Sequence, residues 1–178
     1  MQPTDAELLE LTRRGDDKAF DALIERYGPL FYRTAAAIVG NKADAEDVFQ
    51  ETALAVYRGA GSFAGRSSVK TWLIRILIRQ ASKLLAKRNR EKGLRLEAGS
   101  RAEEYYSGGP KASDISVDMA GALQCLSTEH RMVIVLRELN GLSYGEIAEM
   151  LNVPQGTVES RIYRARQELK VMLKDYIE

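Results

Sequence analysis

Between residues 93 and 115 the apolar periodicity that runs through the rest of the chain fades, and Gly99-Ser100, Ser107-Gly108-Gly109-Pro110 and Ser113-Asp114 take its place. A segment of that composition has too little apolar surface to join a core and reads as a flexible, exposed linker. Tyr105-Tyr106 within it could dock on a domain or a partner, or stand idle. What flanks the linker is helical in pattern, and no alternating strand pattern of useful length occurs. The expected architecture is all-α: two small helical domains, residues 1–92 and 116–178, joined by a flexible linker.

The chain has one cysteine, Cys125, which excludes an internal disulfide framework, and one histidine, His130, which leaves no Cys/His metal cluster to build. Both are expected in or beside the core of the second domain. No signal-peptide pattern opens the chain and no run of 18 apolar residues occurs, so a cytoplasmic protein is expected.

Thr4-Asp5-Ala6-Glu7 has capping-box spacing and opens a short helix that Gly15 closes. Phe20, Leu23, Ile24, Tyr27 and Phe31 recur at helical intervals, with Gly28-Pro29 marking a pause or kink. A helix from about Asp44 to Tyr57 buries Ala45, Val48, Phe49, Thr52, Ala53 and Val56. Asp47, Gln50 and Glu51 lie outside that stripe, and Leu54 projects into the middle of the polar face. Such a face, an apolar anchor with an acidic rim, suits a basic helical partner, although lone exposed leucines are common.

The net charge of +1 conceals a segregation. Residues 1–57 hold 11 acidic and 6 basic side chains, whereas residues 66–95 hold 10 basic ones against Glu91 alone. One surface therefore suits a polyanion. Ser68 caps a helix to about Arg90, on which Leu73, Ile74, Leu77, Ile78, Ala81, Leu84 and Leu85 form the buried arc. Arg75, Arg79, Lys83, Lys87 and Arg90 line the opposite side with Trp72 and Ile76. Like charges one turn apart repel by about 0.3 kcal/mol per pair, a cost that a bound polyanion would offset. Trp72 either stacks on an opened base or is covered by the loop Gly59–Gly65, whose Phe63 could line a base pocket.

In the second domain, helices are expected at roughly 116–125, 128–139, 144–151 and 155–174. Ser143-Tyr144-Gly145-Glu146 is a second capping box, opening a short helix with Ile147, Ala148 and Leu151 inward. Asn152-Val153-Pro154-Gln155-Gly156 connects it to a longer one. That is helix-turn-helix geometry, whose second helix enters the major groove. At 100° per residue, Val158, Ile162, Ala165, Leu169 and Met172 share the core face, and Thr157, Ser160, Arg161, Arg164 and Gln167 gather opposite. Those side chains suit base edges and phosphates.

Taken together, three segments resemble a bacterial RNA polymerase sigma factor of the extracytoplasmic-function (ECF, group IV) class in the sigma-70 family. They are Asp44-Ala45-Glu46-Asp47-Val48-Phe49-Gln50-Glu51-Thr52, the stretch from Phe63 through Trp72 to Ile76, and Leu142 through Arg166. The resemblance spans roughly residues 16–173. It implies sigma region 2 before the linker and region 4 after it. Asp47, Gln50, Glu51 and Leu54 would engage the polymerase β′ coiled coil, with the β subunit also a partner. Phe63, Arg66, Trp72, Arg75, Arg79, Lys83 and Lys87 would recognise and open the −10 element, and Thr157, Ser160, Arg161, Arg164 and Gln167 would read the −35 element. The linker would thread toward the RNA exit path. Many members are held inactive by an anti-sigma factor, often membrane-anchored, so such a partner is expected here, holding the protein at the inner membrane. With Glu178 soon after the −35 helix, no C-terminal regulatory extension is expected.

The chain departs from the family pattern at Arg79 and Lys83, where uncharged or acidic polar residues are common. It departs also at Arg66, where an acidic or small polar residue is frequent, and at Glu159, where Lys or Arg is common. A competing reading is a helix-turn-helix regulator that binds duplex DNA without polymerase, but no receiver or ligand domain precedes the motif. No enzyme, cofactor, small-molecule substrate or metal site is expected. There is no phosphate-cradling glycine loop followed by Lys-Ser/Thr, and Asp44, Asp47 and Glu51 lack further carboxylates to complete a cation site.

Overall fold

The computed structural model describes residues 3–97 and 115–174, so Tyr105-Tyr106 and most of the expected linker lie outside the described residues. The chain divides into two compact units, Met1–Ala81 and Ser82–Glu178, the division falling inside a long helix. Among the described residues every regular element is helical.

In the first unit, α1 (Asp5–Arg13) starts at the expected capping box. The Thr4 amide donates to Glu7 Oε2 at 2.7 Å, and the Glu7 amide donates to Thr4 Oγ1 at 3.3 Å. Gly15 follows its end. Asp16 caps α2 (Asp17–Val39) by accepting from the amides of Lys18 and Ala19. No pause occurs at Gly28-Pro29, because α2 runs through both. An internal proline costs a helix about 3 kcal/mol. The burial of Leu23, Tyr27, Phe31, Ile38 and Val39 on either side of it offsets that cost. Gly40, at φ +84°, ends the helix in the left-handed region, which only a residue without Cβ enters cheaply.

Asn41 caps α3 (Lys42–Gly59), accepting from the Asp44 amide at 2.9 Å. Ala45, Val48, Thr52 and Val56 are buried as their spacing predicts, while Phe49 and Ala53 are half-buried at the edge of the stripe. A short 3-10 turn (Ala60–Ser62) leads through Gly65 to Ser68, which caps α4 (Val69–Glu97) by accepting from the Thr71 amide at 3.0 Å. Leu73, Ile74, Leu77, Ile78 and Ala81 are buried. Leu84 and Leu85, expected to continue that arc, are only half-buried.

In the second unit, α5 (Ile115–Cys125) is followed by α6 (Thr128–Ile134), which widens into a π-helical turn (Val135–Leu139). Arg131 is buried. Its guanidinium donates to the side chain of Gln124 and to the carbonyls of Gln124 at 2.9 Å and Leu126 at 3.1 Å. It thereby satisfies carbonyl groups at the α5 C-terminus that the helix cannot. Cys125, placed in or beside the core from its sequence, is exposed, because the chain turns out of α5 at that point. His130 is half-buried, its Nδ1 2.8 Å from Glu168 Oε1.

The second capping box forms at α7 (Tyr144–Leu151): the Glu146 amide donates to Ser143 Oγ at 3.2 Å and the Ser143 amide to Glu146 Oε2 at 2.9 Å. Asn152 takes the left-handed conformation at φ 53°, and Pro154 stands at the start of α8 (Gln155–Met172). Ile147, Val158, Ile162 and Ala165 pack in the core. Ala148, Leu151 and Leu169 are half-buried, and Met172 is exposed because α8 runs past the core there.

Candidate nucleic-acid and polymerase interfaces

The capped α3 turns one face to solvent. Asp47, Gln50 and Glu51 are exposed, and Leu54, at 41%, stands among them. Among the described residues, Asp47 and Glu51 have no ion-pair partner, whereas Glu46 lies 3.7 Å from Lys42. Tyr57, one turn beyond Leu54, is equally exposed, a continuation the sequence reading missed although the spacing of three residues signals it. Its hydroxyl donates to Asp17 at 3.0 Å, which raises the pKa of the phenol, and its ring meets Phe20 edge-on. The face is an apolar anchor rimmed by uncompensated acids.

The loop after α3 brings Phe63 and Trp72 together, ring centroids 5.6 Å apart in an edge-on arrangement. Trp72 also lies against Gly59, where an added Cβ would sit 3.8 Å from the indole. Of the two readings of Trp72, the loop does cover it in part, and both rings remain half-buried. Arg66 is exposed in the same loop. Behind it, α1 and the 3-10 turn enclose a cleft of about 190 Å³ lined by Leu9, Glu10, Arg13, Gly61 and Phe63. Arg13 and Arg14 hold the Glu10 carboxyl down to about 2. Along α4, Arg75 is half-buried while Arg79, Lys83, Lys87 and Arg90 are exposed.

On α8, Ser160, Arg164 and Gln167 are exposed and Thr157 is half-buried. Ser160 Oγ donates to the Thr157 carbonyl at 3.0 Å. Arg161 is not a free cation: its Nη2 donates to Glu129 Oε2 at 2.6 Å. Arg166 makes the same link to Glu138. Tyr163, at 66% exposure the most open aromatic of the helix, stands one turn from Ser160 and Gln167. The sequence reading left it out, although its place on the outward arc was visible in the 100° projection. No side chain caps α8; the Thr157 amide donates to the Pro154 carbonyl at 2.9 Å, which leaves the Gln155 and Gly156 amides facing a phosphate.

Two family models match the chain: sigma-70 region 2 over residues 23–91 and sigma-70 region 4 over residues 116–169. The ECF RNA polymerase sigma-E factor of Escherichia coli K12 is 36% identical over 94% of this chain and 93% of its own length. The chain belongs to the sigma-70 family, in its ECF class. As a sigma factor it is the promoter-specificity subunit that binds core RNA polymerase and directs transcription initiation. The sigma factor is also similar to the RNA polymerase sigma-H factor of Pseudomonas aeruginosa, 34% identical over 97% of this chain and 95% of that one.

Solved structures share its fold, two of them sigma factors bound to partners. One is the sigma factor RpoE in complex with the anti-sigma factor NepR from Bartonella quintana, at TM-score 0.73 and 29% identity, covering 88% of this chain and 98% of that one. The other is CnrH in complex with the cytosolic domain of CnrY, at TM-score 0.69 and 28% identity, covering 96% and 97%. No helix among the described residues is long and apolar enough to cross a membrane, and no group of potential metal ligands occurs among them.

Proposed function

We propose a division of labour for this sigma factor. Residues 1–92 act as region 2, 93–115 as the linker threading toward the RNA exit path, and 116–178 as region 4. Asp47, Gln50, Glu51 and Leu54 dock on the β′ coiled coil, an apolar contact inside a charged rim. Phe63, Arg66, Trp72, Arg75, Arg79, Lys83 and Lys87 capture the −10 strand. Unstacking costs a few kcal/mol per base step, roughly, and base capture with phosphate contacts offsets it. Thr157, Ser160, Arg161, Arg164 and Gln167, joined by Tyr163, read the −35 duplex.

The observation that carries this reading is the exposed acidic face of α3, whose Asp47 and Glu51 have no ion-pair partner among the described residues. The protein works in the cytoplasm and performs no catalysis of its own. An anti-sigma factor controls it, a reading supported by its likeness to two sigma factors solved with such partners.

The test is binding to purified core RNA polymerase. Wild type should bind tightly, and Asp47→Lys/Glu51→Lys should lose binding while its circular dichroism spectrum stays helical. A folded wild-type protein that does not bind core enzyme would remove the proposed role of α3.

A further inference from the structure

Four carboxylates of the second unit are taken up internally. Glu129 meets Arg161, Glu138 meets Arg166, Glu168 meets His130, and Glu146 closes the Ser143 capping box. Glu159 differs. It is exposed in the second turn of α8, and its Oε1 accepts from the side-chain amide of Gln155 at 3.0 Å, a neutral partner. Its neighbours one turn away, Gln155 and Tyr163, carry no charge. A full negative charge therefore stands beside Ser160 and Tyr163, where it weakens phosphate attraction.

Gln155 also orients that carboxylate through one hydrogen bond between exposed side chains. Its amide nitrogen is on Glu159, and its oxygen lies beside Gly145 of α7, 3.9 Å from where a Cβ would stand. A carboxylate so held accepts hydrogen bonds and donates none. In the major groove, guanine offers two acceptors and thymine an acceptor with a methyl group, both unfavourable partners for it. Adenine sets its amino donor beside an acceptor nitrogen. Cytosine offers an amino donor alone.

We infer that Glu159, oriented by Gln155, is a specificity residue that selects a cytosine in the −35 element by accepting from its exocyclic amino group. The inference rests on the reading of α8 as the −35 helix.

The test uses holoenzyme assembled from core RNA polymerase and the full chain. It selects duplexes from a pool randomised over the −35 segment, for wild type, Glu159→Gln and Glu159→Ala. Both changes are at an exposed position, and circular dichroism verifies folding. Wild type should fix a cytosine at one position, preferring it about ten-fold over other bases. Glu159→Ala should lose the preference, and Glu159→Gln should shift it toward adenine, the base a glutamine amide pairs with. Unchanged base preference in both variants overturns the inference. So does a uniform affinity gain on every duplex, since Glu159 would then act only by repelling phosphates. If wild type enriches no sequence at any −35 position, the reading of α8 falls and the inference with it. In the first two failures the other −35 positions stay selected, which keeps the cases apart.

Discussion

Arg161 of α8 donates to Glu129 in the first turn of α6 at 2.6 Å, so a side chain suited to DNA is held by a carboxylate 32 residues away. DNA phosphate and Glu129 compete for one guanidinium. The pair is partly exposed, with Glu129 at 66%, so its contribution to stability stays below about 1 kcal/mol. Glu129→Gln should leave the fold unchanged and strengthen binding to a −35 duplex about three-fold at low salt, with a steeper fall as salt rises. Fluorescence anisotropy titrations at several salt concentrations measure this. A salt slope equal to wild type would show that Arg161 gains no phosphate contact.

Arg131 is a structural cation. Its guanidinium bridges Gln124 and Leu126, and burial pulls its pKa below the ordinary arginine value. Arg131→Met leaves those carbonyls without a donor and should cost about 2–3 kcal/mol. Arg131→Lys should recover less than half of that, because one ammonium does not reproduce the planar fork. Thermal unfolding of the full chain should show the loss, while core-polymerase binding through α3 persists below the melting transition.

Asp5 ties α1 to α2, accepting from the Tyr27 hydroxyl and the Arg26 guanidinium. Partial burial raises its pKa, but those two donors outweigh it and hold the carboxyl below its ordinary 3.8. A depressed carboxyl contributes stability that is fully present above the unfolded value and lost as pH falls through the folded one. As pH falls from about 5 through the folded value, the protection of the α1 amides, with the intrinsic exchange rate divided out, should therefore drop in the wild type. Asp5→Asn should show lower protection at neutral pH and a smaller loss across that window, the remainder coming from Glu7 and Glu10, whose carboxyls are also held low.

Trp72 joins the loop to α4 through Phe63 and Gly59. Trp72→Ala should cost about 1–3 kcal/mol from lost packing and reduce binding of a fork-junction DNA with an unpaired −10 strand about ten-fold. Trp72→Phe separates the two effects. It should restore most of the stability and, if the indole stacks on a base, only part of the DNA affinity. Equal recovery of both would assign Trp72 a packing role alone.

Much of the protein was legible in its sequence because the signals were local. Thr4/Glu7 and Ser143/Glu146 form their capping boxes at the positions their spacing marked. The apolar spacing of α3, α4 and α8 determined which face each helix buries, since side chains three and four residues apart share a side of any helix. The outward residues Asp47, Gln50, Glu51, Leu54, Ser160, Arg164 and Gln167 followed directly. Only the tertiary structure decided what lies across from each face. It paired Arg161 with Glu129, Arg166 with Glu138 and His130 with Glu168. It carried α2 through Pro29, left Cys125 exposed and set Phe63 against Trp72. A helix's periodicity repeats within a few residues and is written in order along the chain. The partner of a charge or ring lies dozens of residues away, and the packing of whole helices selects it.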